Sequence, residues 1–392
     1  MENGKFGGRE VVIVEAVRTP IGRGHEEKGY YKDTHPSTLL AKTYSEVIDR
    51  AGIDPAEVED VVAGCVQQFG EQGMNIGRNA WLEAGLPITT PATTVDRQCG
   101  SAQQAVNFSA ALIASGVHDV AIGGGVEHMG HISFADGMQV MSEHGSAMSG
   151  PLMERYNLVP QGISAEMIAD KWEIPRSELD EIGVRSHQLA AKATEEGRFE
   201  REIFPFQVNG DTYVTDQGIR PDTNLEALSQ LRTVFKEDGK VTAGNSSQIS
   251  DGAAAVLLMS REKADALGLK PRARIFDQTT VGVDPVLMLT GPIPATQKLL
   301  DRNGMKIDDI DLIEINEAFA SVLAAWRREH DPDMDRVNVN GGAIALGHPL
   351  GSTGARLITT LLHEMERTEK EMGLVTMCCG GGLGTGTLIQ RV

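Results

Sequence analysis

Cys99 and His348 are the residues whose neighbours best equip them for covalent and proton-transfer chemistry. Cys99 lies in Asp96-Arg97-Gln98-Cys99-Gly100-Ser101, directly after a β-type run and at the start of a helical pattern. A helix N-terminus carries roughly half a positive charge, which favours thiolate over thiol and predicts a lowered pKa. Gly100 permits a sharp turn of the nucleophile-elbow kind. The same position also suits a buried cysteine that packs as a small hydrophobe. His348 sits in Gly347-His348-Pro349-Leu350-Gly351-Ser352-Thr353-Gly354, just before a second helical pattern. A histidine held by rigid backbone between Gly and Pro suits general-base work; a loop histidine bonded to carbonyls is the plainer alternative.

Cys378-Cys379-Gly380-Gly381-Gly382 ends a β-type run, and its glycines let backbone N–H groups approach a ligand closely. Six residues follow Gly386, too few for the helix and βαβ unit that a dinucleotide-binding glycine motif requires. The glycines around His348 are not followed by the lysine of a phosphate-binding loop. Asn316-Glu317-Ala318-Phe319 follows the apolar run Leu312 to Ile315. It marks a strand end, where α/β proteins place functional groups; by itself Asn316 also reads as a helix cap. His128, His131 and His144 lack a second Cys or His pair at ligand spacing, so no metal is expected there.

These segments are positioned by a duplicated framework. Ile48-Asp49-Arg50-Ala51-Gly52 precedes the run Val61-Val62-Ala63-Gly64, and Leu300-Asp301-Arg302-Asn303-Gly304 precedes Leu312-Ile313-Glu314-Ile315. Thr94-Val95 leads through Cys99 and a helical pattern into Val120-Ala121-Ile122 and three glycines. Val337-Asn338-Val339 leads through His348 and a helical pattern into Leu374-Val375-Thr376-Met377 and three glycines. Each copy reads helix–strand–loop–helix–strand, the rhythm of an α/β sheet with crossover helices. Two similar α/β units packed face to face are expected.

The helix after Cys99 repeats Ala102, Ala105, Val106, Ser109, Leu112 and Ile113 at helical spacing, with Gly116 as its C-terminal stop. The helix after Gly351 carries Ala355, Ile358, Leu361, Leu362 and Met365 on one face, with Ser352 or Thr353 as its cap. From Glu127 to Ser247 the pattern changes to scattered Met, His and Pro with short helical pieces, Ser164–Trp172 and Arg176–Gly197 among them. That length marks an inserted functional segment. The expected division is 1–126 and 248–272 for the first core unit, 127–247 for the insertion and 273–392 for the second core unit. Ala253 to Met259 is the last strand of the first unit.

Composition bounds the partners. The formal charge of −19 excludes nucleic acid as an expected ligand. Any anion site must then be locally basic or built from backbone N–H groups. No apolar run approaches the roughly 20 residues of a membrane helix. The polar N-terminus has no secretory or Arg-rich transit pattern, and Gln390-Arg391-Val392 is not a peroxisomal address, so a cytoplasmic location is expected. Four cysteines without a CxxC pair suit a reduced compartment with one or two reactive thiols.

Taken together, the segments resemble the thiolase family. The shared marks are the strand–Cys-Gly-Ser–helix context of Cys99, the Asn-Glu-Ala-Phe box, the Gly341-to-Gly351 box with His348, and the Cys-x-Gly-Gly-Gly box. Arg18-Thr19-Pro20-Ile21-Gly22 and Thr242-Ala243-Gly244-Asn245-Ser246-Ser247 extend the likeness along nearly the whole chain. The resemblance implies a thiolase fold: two similar βαβαβ-type core domains in a layered αβαβα sandwich with an inserted loop domain. It implies Cys99 as nucleophile, His348 as base and Cys378 as the second acid/base thiol, Cys379 filling the spacer position. Cys99 and Gly380 N–H groups would hold the first oxyanion, and His348 with a water on Asn316 the enolate oxygen.

The resemblance further implies coenzyme A or acyl-CoA as substrate rather than as a resident cofactor. Arg220 and Ser247 would contact it, with Thr223 and Gln161 beside them. Arg220 is a fixed cation in an acidic chain, and also reads as a surface ion pair; Met288 would pack on the pantetheine arm or in the core. A homodimer or homotetramer is implied, with a second β-oxidation subunit as a possible partner. Gly124-Gly125-Val126-Glu127-His128-Met129 looks more like degradative than biosynthetic thiolases, and relatives acting on steroid side chains share the Cys99 and His348 boxes. The competing readings are a biosynthetic acetoacetyl-CoA thiolase, a synthase on the same fold, which would lack the Cys378 context, and a non-catalytic CoA-binding scaffold.

Overall fold

The computed structural model describes residues 8–392. Residues 1–7, which carry most of the N-terminal reading and begin the expected 1–126 unit, lie outside the described residues. In chain order the strands are β1 (Val11–Arg18), β2 (Gly22–Arg23), β3 (Asp60–Gly64), β4 (Ala92–Val95), β5 (Val120–His128) and β6 (Phe206–Val208). They continue with β7 (Asp211–Tyr213), β8 (Ser250–Ser260), β9 (Ala273–Gly282), β10 (Leu312–Ile315), β11 (Met372–Cys379) and β12 (Leu383–Arg391). β6 and β7 form a separate hairpin. The others form one sheet in the order β10-β11-β12-β9-β1-β8-β5-β3-β4, with β2 beside β8.

The duplication is visible in the pairing. In the first half β3 runs parallel to β4 and β5, β5 antiparallel to β8, and β8 antiparallel to β1. In the second half β10 pairs in parallel with β11 and bridges Val337 in parallel, β11 is antiparallel to β12, and β12 to β9. Parallel neighbours require a crossover element. Helices Ser101–Ala114 and Thr353–Arg367 supply the equivalent ones, leading into β5, which carries three glycines at its middle, and into β11, which is followed by three glycines. The halves also meet at an edge, where β1 and β9 pair through Val12–Arg274 and Ile13–Ala273.

Helix Thr353–Arg367 buries thirteen of its fifteen residues, not the single apolar face its pattern shows. A helix covered nearly all round lies between two layers. Its Ala355, Leu357, Ile358 and Leu361 share one apolar cluster with Ala102 and Val106 of helix Ser101–Ala114 and with residues of both sheet halves. These two helices form the middle layer of the αβαβα sandwich. Gly116, just past the first helix, has φ +79°, the left-handed stop expected of it. The inserted segment contains helices Gln161–Lys171 and Arg176–Glu195, close to the expected pieces. The run Ala253–Met259 lies within β8, buried along its whole length.

Candidate active site

Cys99 precedes the N-cap Gly100 of helix Ser101–Ala114, as its sequence context indicates. The turn, however, does not use Gly100 for its backbone freedom. Gly100 has φ −86°, and the left-handed residue is Gln98 at φ +50°. What Gly100 supplies is space: a Cβ there would lie 2.6 Å from Cys379 Sγ and 3.0 Å from Thr385 Cγ2. The expected lowering of the Cys99 pKa is opposed by burial. Burial pushes the thiol up to about 11, and the backbone N–H groups of Gly380 and Cys99, which face the sulfur, only offset part of that rise.

His348 is buried beside Asn316, whose Nδ2 donates to His348 Nε2 at 3.3 Å. Nδ1 of the ring meets Thr353 Oγ1 at 2.7 Å, and the backbone N–H of His348 donates to Ser250 Oγ at 3.1 Å. Neither Ser352 nor Thr353 caps the following helix through its side chain. Thr353 instead donates its hydroxyl proton to Pro349 O at 2.8 Å, leaving its oxygen free for the imidazole. Burial, and then the nearby Arg356 cation, push His348 down to about 3, so the ring is neutral. Asn316 is not a helix cap, because the next helix begins only at Ala320. Its Oδ1 is buried without a partner among the described residues.

Cys378 and Cys379 end β11. Successive strand residues face opposite sides. Cys378 belongs to the cluster of Phe319, Leu374 and Met288, and is bonded by Asn316; Cys379 belongs to the middle layer and lies against Gly100. Both thiols are pushed up by burial, and each faces Cys99. All four cysteines are free. Cys99, His348, Asn316, Cys378 and Gly380 therefore form one connected group drawn from both halves.

An apolar cavity of about 490 Å³ opens onto His348. Gln161 and Ser247 line it together with Phe134, Phe235, Ile249 and Phe319. Gln161 also borders the reaction centre, since a Cβ on Gly380 would meet its Nε2 at 2.7 Å. Arg220 and Thr223 are not in this wall; Arg220 is exposed and unpaired with any carboxylate among the described residues. Its loop is tied to the wall through Gln248, which donates to Gly218 O at 3.0 Å, and its backbone N–H donates to His187 Nδ1 at 3.1 Å. Met288 packs in the core and is not among the cavity-lining residues.

His128 is buried, stacked on His131 with ring centroids 3.9 Å apart and 3.3 Å from Asp251, while His144 lies on the helix Phe134–His144. Among the described residues no group of three or more His, Cys, Asp or Glu is arranged to hold a metal ion. Sequence reasoning missed Thr353 as the imidazole's partner, Ser250, and the buried Glu127. A carboxylate in the otherwise apolar run Val120–His128 was the available signal for the last.

The family model described as "Thiolase, N-terminal domain" matches residues 11–262, and that described as "Thiolase, C-terminal domain" matches 269–391. The chain is 46% identical over 389 residues to a steroid 3-ketoacyl-CoA thiolase, FadA6, of Mycobacterium tuberculosis, covering 98% of this chain and 94% of that one. It is 47% identical over 394 residues to a 3-ketoacyl-CoA thiolase of Acinetobacter baumannii, covering 98% of each. The crystal structure of the Bacillus anthracis acetyl-CoA acetyltransferase superposes with a TM-score of 0.89 at 37% identity, over 99% of this chain and 100% of that one.

Proposed function

The chain belongs to the thiolase family, and we propose that it catalyses CoA-dependent cleavage of 3-ketoacyl-CoA in the degradative direction, through an acyl group on Cys99. The observation that carries this reading is the convergence of two thiols and one neutral imidazole on a single buried centre.

The resting pair is a neutral thiol and a neutral imidazole, which avoids a buried ion pair. The Cys99 proton leaves as the sulfur attacks the 3-keto carbon, with His348 Nε2 as acceptor. Backbone N–H groups of Cys99 and Gly380 hold the oxyanion. Collapse breaks the carbon–carbon bond and expels the acetyl-CoA enolate, whose oxygen is held by His348 and a water on Asn316. Cys378 gives the enolate carbon its proton and recovers one from the His348 imidazolium, which returns the ring to its neutral form. A second CoA, deprotonated by His348, then takes the shortened acyl group from Cys99.

CoA enters along the 127–247 segment, with Arg220 and Thr223 at the outer end and Ser247 and Gln161 nearer the centre. The apolar wall of Phe134, Phe235, Ile249 and Phe319 suits an acyl chain longer than four carbons. A dimer or tetramer, a β-oxidation partner subunit and a cytoplasmic location fit this reading; among the described residues no helix is long and apolar enough to cross a membrane. The likeness to an acetyl-CoA acetyltransferase favours a second reading, a biosynthetic enzyme restricted to acetoacetyl-CoA.

Thiolysis of ketoacyl-CoA substrates from four to sixteen carbons, with Cys99→Ala as control, tests both. Turnover across the longer chains, lost in Cys99→Ala, is expected. A four-carbon preference would select the biosynthetic reading, and no turnover with any chain would leave only a binding role.

A further inference from the structure

Glu127 lies at the buried end of β5 and is surrounded by donors from three separate segments. Its Oε2 accepts from Val66 N at 2.9 Å and Gly351 N at 2.8 Å. Its Oε1 accepts from Gln67 N at 3.1 Å and Gln72 Nε2 at 2.9 Å. Every one of these is an N–H, and the one further hydrogen-bond partner among the described residues, Cys65 Sγ at 4.0 Å, is also a donor. Burial pushes the Glu127 carboxyl up from its ordinary value, and the four donors oppose that rise: they favour the carboxylate, since a protonated carboxyl would have no acceptor for its own hydrogen among them.

Gly351 belongs to the second half and lies three residues after His348. Its backbone is inserted between two glycines of the first half. A Cβ on Gly64 would meet Gly351 O at 2.6 Å and Ala102 N, in the Cys99 helix, at 2.4 Å. A Cβ on Gly125 would meet Gly351 O at 2.1 Å. A Cβ on Gly351 itself would meet Glu127 Oε2 at 2.7 Å. The slot thus touches the helix that presents Cys99 on one side and the turn that presents His348 on the other.

We propose that Glu127 is a positioning residue: with Gly64 and Gly125 it forms a socket for Gly351, and the socket sets the placement of the His348 imidazole relative to the Cys99 sulfur. The proposal rests on the assignment of Cys99 and His348 above. The carboxylate stands there although its charge works against the thiolate, since it adds to the upward push on Cys99. A residue kept only to favour the nucleophile would have the other sign.

That opposition supplies the test. Glu127→Gln turns an amide N–H₂ toward two of the donors and removes the charge. Turnover should fall about 100-fold, the cost of a misplacement near one ångström. The pH profile of Cys99 alkylation by iodoacetamide, resolved from Cys65 by peptide mapping, should move to lower pH. Glu127→Asp keeps the charge but shortens the reach, so kcat should fall with the CoA KM held and the alkylation profile unmoved. Wild-type kcat in either variant, or a Glu127→Gln profile that does not move down, overturns the socket. Should Glu127→Gln not fold, Glu127→Asp decides alone: a CoA KM that rises in step with the loss of kcat overturns it. Alkylation needs no substrate, and the variants are read as ratios to the wild type. A wild type without thiolysis would count against the function instead.

Discussion

Asn316 Nδ2 and Thr353 Oγ1 hold opposite nitrogens of the His348 ring, at 3.3 and 2.7 Å. Because Thr353 spends its own hydrogen on Pro349 O, the ring's Nδ1 must be the protonated nitrogen. Nε2 is then the bare nitrogen, and it faces Asn316 and the reaction centre.

Thr353→Val removes the acceptor that fixes this tautomer while nearly keeping the volume. Steady-state kinetics should show kcat falling about tenfold or more, with Thr353→Ser restoring most of it. Equal activity in the Val variant would mean that the tautomer is set elsewhere.

The adjacent thiols should separate cleanly. Cys378→Ala is expected to remove nearly all turnover with the fold intact. Cys379→Ala should keep turnover within about tenfold and lower stability by about 1 kcal/mol, the common scale for a buried truncation. Thermal melts and kinetics on both variants would reverse the assignment if Cys379→Ala were the inactive one.

Arg220 is exposed and pairs with no carboxylate among the described residues, so its cation is available to a phosphate. Arg220→Ala should raise the KM for CoA about fivefold with kcat little changed, and the difference should shrink as salt rises. A loss confined to kcat would remove Arg220 from CoA recognition.

Acid should destabilise the protein through its buried imidazoles. Burial pushes His128 and His187 down to about 4 and His348 to about 3, and lowers His363 as well. The unfolded rings take protons below about 6.5 while the folded ones do not, so stability is full above that pH and falls as pH drops toward 4. Asp251, which faces His128, and Glu314 act in the opposite sense, pushed up by burial to about 7 and about 8. Five rings, His330 included, outweigh these two carboxyls and the smaller rises of Asp60, Asp96, Glu127 and Glu202 over the shared window. The melting temperature should decline from pH 6.5 to 4.5, less steeply in His187→Gln. A flat or rising melting temperature on acidification would contradict this balance.

The candidate site residues were legible in the chain because their signals are local. Cys99 before a helix, His348 between Gly and Pro, Asn316 at a strand end and Cys378 before three glycines each lie within a few residues of the feature that marks them. The duplicated halves were legible for the same reason: strand and helix periodicities repeat in order. Tertiary packing alone decided the rest. Burial raised the Cys99 thiol, a cost set by the tertiary packing around it and not by its place before a helix. Space beside Cys379, not backbone freedom, made Gly100 necessary. Thr353 turned from cap to imidazole partner, and Gly64, Gly125 and Glu127 met Gly351 only because the second half docks there. No periodicity records contacts between residues more than two hundred positions apart, whereas close packing enforces each of them.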